Sequence, residues 1–137
     1  MLRIRPALID DIDAIVDTDP IGLSRAEEIA DLVRTAASFV AIEAGEMQGF
    51  VAIKPAHFYG RDFVDLLFVG ANFRRRGVGS ALLQWAVRNA STARIFVSTN
   101  ESNAPMRALL EKGGWTLSGI LRGLDEGDPE HVFYIDR

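Results

Sequence analysis

Val69-Gly-Ala-Asn-Phe-Arg-Arg-Arg-Gly-Val-Gly-Ser80 is the stretch of this 137-residue chain that says most about its fold. It begins where an almost wholly apolar run, Asp62–Val69, comes to its end. It leads into Gly77–Ala90, whose apolar residues recur at helical spacing on one face. The sequence therefore predicts a buried central strand, a basic glycine-containing turn and an amphipathic helix, one directly after another.

The turn has the composition of an anion-binding site. Glycines at 77 and 79 let the backbone approach a ligand, and the first N–H groups of a helix have no intrahelical partner. The helix dipole and three consecutive arginines add positive charge at the same end. The alternative is a tight turn beside a solvated arginine run, and the strand–turn–helix context favours phosphate binding over it.

Two common phosphate-binding motifs do not fit the turn. The chain has no GxxxxGK[ST] sequence, which excludes a P-loop NTPase. A dinucleotide-binding fold has its glycine motif after the first strand of a βαβ unit. Here the motif lies midway along the chain and follows a predicted hairpin, so the turn belongs to another kind of fold.

Alternating and helical periodicities predict the elements on either side of this segment. Upstream we expect a strand at 2–5, two helices, and a hairpin of strands at 38–43 and 48–53. Ser24 is expected to cap the second helix, with Glu27 completing a capping box. Downstream we expect a strand at 94–98, a helix capped by Asn103, and strands at 115–121 and 131–135. About seven strands and four helices predict one mixed α/β (α+β) domain over residues 1–137.

Composition excludes several classes of function. Hydrophobic residues make up 48% of the chain and charged residues 25%, as in ordinary globular domains. A net charge of -4 gives no general basic field for nucleic acid or an anionic membrane, so neither is expected as a partner. The absence of cysteine excludes disulfides and thiolate catalysis, and His57 and His131 follow no ligand spacing, so we expect no metal site. The first residues resemble neither a signal peptide nor a membrane span, which predicts a cytoplasmic protein.

Two blocks of the sequence share a pattern with a known family. The first, Arg74-Arg-Arg-Gly77-Val-Gly79, is an Arg or Gln, two residues, Gly, one residue, and Gly or Ala after a central strand. The second runs from Asn103 through a helix to Glu111-Lys112 and then to Gly114 and Trp115. Both blocks, and the order of elements over nearly the whole chain, resemble the GCN5-related N-acetyltransferases (GNAT).

The resemblance implies a mixed, mostly antiparallel sheet that splays at its central strands and binds acetyl-CoA there as co-substrate. The main chain of Phe68 and Val69 would be free to pair with the pantetheine arm like an added strand. The N–H of Val69 would point at the thioester oxygen. Asn103 would touch the pantetheine, cap its helix, or do both. The residues implied to bind the pyrophosphate are Arg74, Arg75, Arg76, Gly77, Val78, Gly79 and Ser80.

One position departs from the family pattern. Members often carry Tyr immediately before the Glu-Lys pair, where it protonates the departing thiolate, and this chain has Leu110 there. The usual general acid is therefore absent. We expect its loss to be tolerated, because a thiol with a pKa of ~8.5 is already a reasonable leaving group near neutral pH. Ser102, Tyr59, Tyr134 or water could supply the proton instead.

A general base is needed more, because an alkyl amine with a pKa of ~10.4 arrives protonated. Asp65 is the first candidate, as a lone carboxylate in an apolar strand that alternation puts on the same face as Val69. The alternative for Asp65 is a salt bridge with Arg61 or Arg94. Glu101, in the loop after the next strand, is the second candidate, and the alternative for it is a solvated loop acid.

The resemblance implies an acyl-CoA-dependent N-acyltransferase. It would move an acetyl group to a primary amine of a small molecule, protein or peptide, by direct attack in a ternary complex, since no cysteine can form an acyl-enzyme. The alternative, which the leucine at 110 keeps open, is a non-catalytic acyl-CoA-binding sensor. The acidic segment 125–128 either rims the acceptor cleft or serves solubility. Association as a homodimer is common in the family and is a further expectation.

Overall fold

The computed structural model describes every residue from Met1 to Arg137. Its strands are β1 (Arg3–Pro6), β2 (Ala37–Glu43), β3 (Glu46–Phe58), β4 (Arg61–Val69), β5 (Arg94–Asn100), β6 (Thr116–Leu121) and β7 (Glu130–Asp136). Its helices are α1 (Ile12–Thr18), α2 (Ala26–Thr35), α3 (Val78–Arg88) and α4 (Ala104–Lys112). The predicted seven strands and four helices are confirmed. None of the helices has the length and apolar character needed to cross a bilayer.

The seven strands form one sheet in the order β1-β2-β3-β4-β5-β7-β6. Every neighbouring pair is antiparallel except β4 and β5, which are parallel and are joined through α3. A parallel pair needs a long crossover connection, and the predicted amphipathic helix supplies it. The mixed, mostly antiparallel sheet that the resemblance implied is confirmed.

The helices cover the two faces of the sheet unequally. On one face α3 and α4 bury a cluster that includes Leu82, Leu110 and, from β5, Ile95 and Val97. On the other face α1 and α2 cover a second cluster, which draws its strand residues only from β2, β3 and β4. Beyond that cluster, this second face is uncovered from the end of β3 and the start of β4 across to β5, β7 and β6, and we call this region the open face. It carries Phe96, Ser98 and Asn100 of β5 opposite Tyr134, Val132 and Glu130 of β7.

Most element boundaries lie within about two residues of prediction, and the start of α2 and the end of β3 differ in ways that have a physical cause. Ser24 does not cap α2, because it lies inside a short 3-10 turn, Leu23–Arg25, and α2 begins without a side-chain cap. The predicted capping box is therefore wrong. Strand β3 continues past Pro55 to Phe58, because the register shifts after Lys54 and an irregularity of this kind tolerates a proline.

A buried ion pair fixes the segment between α1 and α2. The Asp19 carboxylate accepts hydrogen bonds from Arg25 Nε at 2.9 Å and Nη2 at 2.6 Å, and the guanidinium lies 5.4 Å from the ring centroid of Phe68. Burial acts to raise the pKa of Asp19, but the bonds from Arg25 and from the Ile21 amide outweigh it and hold that pKa below its ordinary value. The segment is thereby anchored beside β4.

Candidate active site

The basic turn after β4 leads into a helix whose first amides have no hydrogen-bond partner. Arg75 and Gly77 both have positive φ, 64° and 81°, and α3 begins directly after Gly77 with no side-chain cap. The first helical bond runs from Ala81 N to Gly77 O at 3.0 Å, so the N–H groups of the first turn have no partner within the helix. Together with three exposed arginine side chains, this geometry suits an anion such as a pyrophosphate.

Gly79 has a packing role in addition to any role in binding. A Cβ atom at this position would lie 3.3 Å from Leu109 Cδ2 of α4 and 3.5 Å from Val69 Cγ2 of β4. The glycine therefore lets the start of α3 approach both the end of β4 and the side of α4. Close packing is therefore one role of Gly79, and backbone access for a ligand stays a prediction.

Strands β4 and β5 part after a short stretch of pairing. Their register runs from Asp62–Ile95 to Val64–Val97 and goes no further, although β4 continues to Val69. An opening therefore lies between the second half of β4 and the second half of β5. Its upper end is next to the basic turn, because that turn follows β4 directly.

The main chain of β4 faces this opening at alternate residues. Gly70 N donates to Gln48 O of β3 at 2.8 Å, and in an antiparallel ladder such bonded pairs alternate with unbonded ones. The N–H of Phe68 therefore points toward β3, whereas those of Leu67 and Val69 point into the opening. The expectation of a free main chain holds for Val69, but it is wrong for Phe68, and Leu67 takes its place.

Asp65 is the extra residue of a β-bulge in β4. The register pairs Ala52 with Leu66 and Ile53 with Val64, so that Asp65 has no partner on β3. Its carboxylate lies 3.5 Å from Lys54 Nζ, a different partner from the expected Arg61 or Arg94.

The bulge also changes the face on which Asp65 lies. Lys54 follows Ile53, whose side chain packs in the α3–α4 cluster, so Lys54 leaves β3 on the opposite face. Val69, in contrast, packs against that same α3–α4 cluster. The expectation that Asp65 shares a face with Val69 is wrong, because the bulge interrupts the period of two.

Glu101 lies at the far side of the opening and belongs to a different pair. Its Oε1 is 3.0 Å from Nε2 of His131, whose side chain is 12% exposed. His131 is opposite Thr99, and both belong to the face of Val97, which is covered by α4. Glu101 is therefore an exposed loop acid that is paired with His131, and it lies on the other face of the sheet from Asp65.

The second block of the family pattern forms the start and core of α4. Asn103 caps the helix, since its Oδ1 accepts a hydrogen bond from Met106 N at 3.3 Å. The cap role predicted for Asn103 is confirmed, and its contact with pantetheine stays a prediction. Leu110 is completely buried among the α3–α4 cluster, which makes packing its role.

The loop between β6 and β7 is tied to the end of β5. Asn100 Nδ2 donates to Asp125 Oδ2 at 2.8 Å, and Ser102 donates to Asp128 through both its Oγ, at 2.6 Å, and its amide. These bonds from Ser102 hold the pKa of Asp128 below its ordinary value. The acidic segment therefore anchors itself at the upper end of the opening, which is a use beyond solubility.

Sequence reasoning missed one pair beside the opening. Ser98 Oγ donates to Glu130 Oε2 at 2.8 Å on the open face. Ser98 is the first residue of β5 on this face beyond its pairing with β4. Alternation could place Ser98 on the face opposite to the buried Ile95 and Val97, but the partner on β7 depends on a register that no local signal specifies. The structure brings no three His, Asp or Glu side chains together as a metal site.

Comparisons with known proteins agree with this geometry. A profile of the acetyltransferase (GNAT) family matches residues 9–115. An acetyltransferase of the GNAT family from Bacillus cereus ATCC 10987 superimposes with a TM-score of 0.93 at 35% identity, over 100% of this chain and 98% of that one. A search of curated proteins finds no match.

Two more distant structures share the fold. The ribosomal-protein-S18-alanine N-acetyltransferase from Escherichia coli has a TM-score of 0.80 at 19% identity, over 99% of this chain and 94% of that one. An aminoglycoside 6'-N-acetyltransferase complexed with coenzyme A has a TM-score of 0.83 at 15% identity, over 98% and 96% of the two chains. At these identities the likeness concerns the fold alone.

Proposed function

Because the chain belongs to the acetyltransferase (GNAT) family, we propose that it moves an acetyl group from acetyl-CoA to a primary amine by direct attack in a ternary complex. The observation that carries this proposal is the opening between β4 and β5. Its wall on β4 offers main-chain groups at Leu67 and Val69, and its upper end meets the basic start of α3.

The pyrophosphate of acetyl-CoA binds at the turn from Arg74 to Ser80. Unpaired amides of the first turn of α3 donate to phosphate oxygens, and the exposed arginines add charge. The pantetheine arm then runs down the opening, where the outward main-chain groups of β4 bind it as an added strand. Asn103, at the start of α4, contacts the arm from the side of β5. The N–H of Val69 or of Leu67 donates to the thioester oxygen as charge develops there.

Transfer removes two protons from the nitrogen of the ammonium ion and returns one proton to the CoA sulfur. The amine arrives as an ammonium ion, and Asp65, at the bulge where the opening begins, accepts its proton directly or through water. The free amine attacks the thioester carbon, and its nitrogen then releases a second proton to solvent. The carbon–sulfur bond breaks, and the electron pair leaves with the CoA sulfur. The thiolate then takes a proton from solvent, because Leu110 replaces the usual tyrosine. Glu101 with His131 is the second candidate base, on the opposite face.

The acceptor is a small molecule or the amine of a protein or peptide. One structural neighbour is named for a ribosomal-protein alanine and another for an aminoglycoside, so both kinds of acceptor occur on this fold. A non-catalytic acyl-CoA sensor is the second candidate, and the observation that favours it is the buried leucine at position 110. Homodimer formation and a cytoplasmic location stay predictions, to be measured by sedimentation velocity and by cell fractionation.

Calorimetric titration with acetyl-CoA, followed by an assay of thiol release with a broad panel of amines, tests the proposal. We expect binding, and thiol release with at least one amine. Arg75→Ala combined with Arg76→Ala should weaken binding about tenfold or more, as for the loss of charged hydrogen bonds. Arg34→Ala, an exposed change on α2, is the matched control. Binding without thiol release across the panel would favour the sensor, and absence of binding would contradict both functions.

A further inference from the structure

Four aromatic side chains from four neighbouring strands meet on the open face. They form what we call the aromatic cluster: Phe58 of β3, Phe63 of β4, Phe96 of β5 and Tyr134 of β7. The ring of Phe58 lies 5.3 Å from that of Phe63 and 5.0 Å from that of Phe96, and the rings of Phe96 and Tyr134 are 5.9 Å apart. All four are partly exposed, and none belongs to either apolar core. The cluster is therefore an accessible aromatic surface rather than part of the interior.

The aromatic cluster lies at the closed end of the proposed transfer site. Phe63 and Phe96 are paired directly, one position before the last pair of β4 and β5, Val64–Val97. Asp65 on β4 and Ser98 on β5 follow on either side of the opening, where the two strands part. A ligand on the rings would therefore reach the opening within a few ångströms, since residues of a strand advance by about 3.3 Å each.

Glu130 is a carboxylate of the open face that has no ion-pair partner. Two nearby pairs on the strands are Lys54–Asp65 and Arg94–Asp136, and the buried Asp62 is satisfied by hydrogen bonds from Ser91 and Ala56. The Glu130 carboxylate accepts a hydrogen bond from Ser98 but has no cationic group within 4.0 Å. Its side chain is only partly exposed, so this negative charge is incompletely solvated. A cationic ligand would supply the missing partner.

We infer that the acceptor is a small primary amine that carries an aromatic ring, an inference that rests on the proposed acetyl transfer. Its ring packs on the aromatic cluster at the 4.5–7 Å spacing typical of aromatic pairs. Its ammonium group enters between Glu130 and Asp65, where Asp65 accepts the proton before attack. Glu130 acts as a binding residue in this arrangement, since it attracts the cation and holds it beside the opening.

The inference distinguishes this acceptor from the other amines that the fold accommodates. A polycationic acceptor without a ring would use Glu130 for one of its charges but would leave the aromatic cluster without a contact. An aliphatic amine would satisfy Glu130 but would lose the ring contacts, and an uncharged aromatic compound would lose the ion pair. Specificity therefore depends on both halves of the ligand at once.

Three probes of similar size test the ring and the ammonium group of the ligand separately: 2-phenylethylamine, hexylamine and 2-phenylethanol. Each is titrated into the CoA-loaded protein by calorimetry, and the two amines are also assayed with acetyl-CoA. We expect 2-phenylethylamine to bind about tenfold or more tightly than either analogue and to give the higher kcat/KM. Glu130→Gln should weaken its binding about tenfold or more without changing the binding of 2-phenylethanol. Phe96→Leu should weaken both ring compounds about two- to tenfold and leave hexylamine unchanged.

Glu46→Gln and Phe39→Leu are the matched controls. Glu46 is an exposed carboxylate at the turn into β3, and Phe39 packs against Trp85 under α3, on the other face of the sheet. Neither change should alter the affinity for any probe. Equal affinities for the three probes, or an unchanged amine affinity in Glu130→Gln, would overturn the inference. Failure of the proposed transfer has a separate signature, which is the absence of thiol release with every amine while the three probes still differ in affinity.

Discussion

Asp62 of β4 and Ser91, in the connection between α3 and β5, are joined by two hydrogen bonds. Ser91 N donates to Oδ2 at 2.6 Å, and Ser91 Oγ donates to Oδ1 at 2.7 Å. The same Oδ1 accepts from Ala56 N of β3 at 3.0 Å, and the aspartate is 1% exposed. One carboxylate therefore ties three segments together at the closed end of the β4–β5 pair, from which the opening widens.

We expect acid to remove the stabilisation that Asp62 provides. Burial acts to raise the pKa of Asp62, but hydrogen bonds from Ser91, Ala56 and Thr92 outweigh it and hold that pKa below its ordinary value. The stabilisation is thus complete above the unfolded pKa of about 3.9 and is lost as the pH falls through the lower, folded value. Asp62→Asn should lower the free energy of unfolding at neutral pH, and its difference from the parent should shrink below about pH 4. Urea unfolding across a pH series measures this, and a pH-independent difference would contradict it.

The buried pair of Asp19 and Arg25 predicts non-additive effects on stability. Arg25→Ala leaves the Asp19 carboxylate, whose side chain is inaccessible, without its cation and should cost roughly 3–5 kcal/mol of unfolding free energy. Adding Asp19→Ala removes the stranded charge, so the double variant should be more stable than Arg25→Ala alone. A double-mutant cycle, with the free energy of each variant measured by urea unfolding, gives the interaction energy between Asp19 and Arg25. Simple addition of the two single effects would show that the pair is not coupled.

Leu110→Tyr restores the residue type common in the family but should destabilise this protein. Because Leu110 is completely buried, a larger ring must displace its neighbours. Overpacking of this kind should lower the free energy of unfolding by about 1–3 kcal/mol. Leu110→Met, which roughly conserves volume, is the control and should cost less than about 1.5 kcal/mol. Melting temperature and thiol release measured on the same preparations check this. A tyrosine variant with parental stability and faster turnover would contradict the expectation.

Asp65→Asn tests the proposed base. The change keeps size and hydrogen-bonding capacity but removes basicity, so turnover should fall by roughly 10²–10⁴-fold with acetyl-CoA affinity retained. The acidic limb of the pH–rate profile should shift or disappear. Glu101→Gln, the corresponding change on the other face, should have the smaller effect. If Glu101→Gln causes the larger loss and alters the acidic limb, the roles of the two carboxylates are reversed.

The sequence predicts most of the fold, because the signals that define it are local. The apolar run of β4, the glycines of the turn and the helical period of α3 lie within one stretch of chain, and each structure follows from its own residues. Asn103 likewise caps α4 as its type and position indicate. Ser24 is the exception, since its neighbour Arg25 is drawn to the buried Asp19, a tertiary contact that no cap pattern contains.

The site is less predictable, because its groups come from distant parts of the chain. The hydrogen bond between Ser98 and Glu130 depends on the register of β5 with β7, which is set by packing and not by any turn between them. The bulge at Asp65 carries no glycine or other marker, so strict alternation assigned this carboxylate to the wrong face. The binding turn could be located from sequence, whereas the surroundings of the acceptor could not.

The bulge in β4 makes the length of this strand more critical than its composition. Before Asp65 the strand sends Phe63 to the open face, and after it the strand sends Leu67 and Val69 toward α3. Removing one residue would restore a single alternation, and every side chain beyond that point would exchange faces with its neighbour. The single extra residue therefore determines which face of the sheet the odd-numbered and the even-numbered side chains of β4 occupy. A substitution at Asp65 keeps the direction of the other side chains, whereas a deletion would change the position of Phe63 relative to Leu67 and Val69.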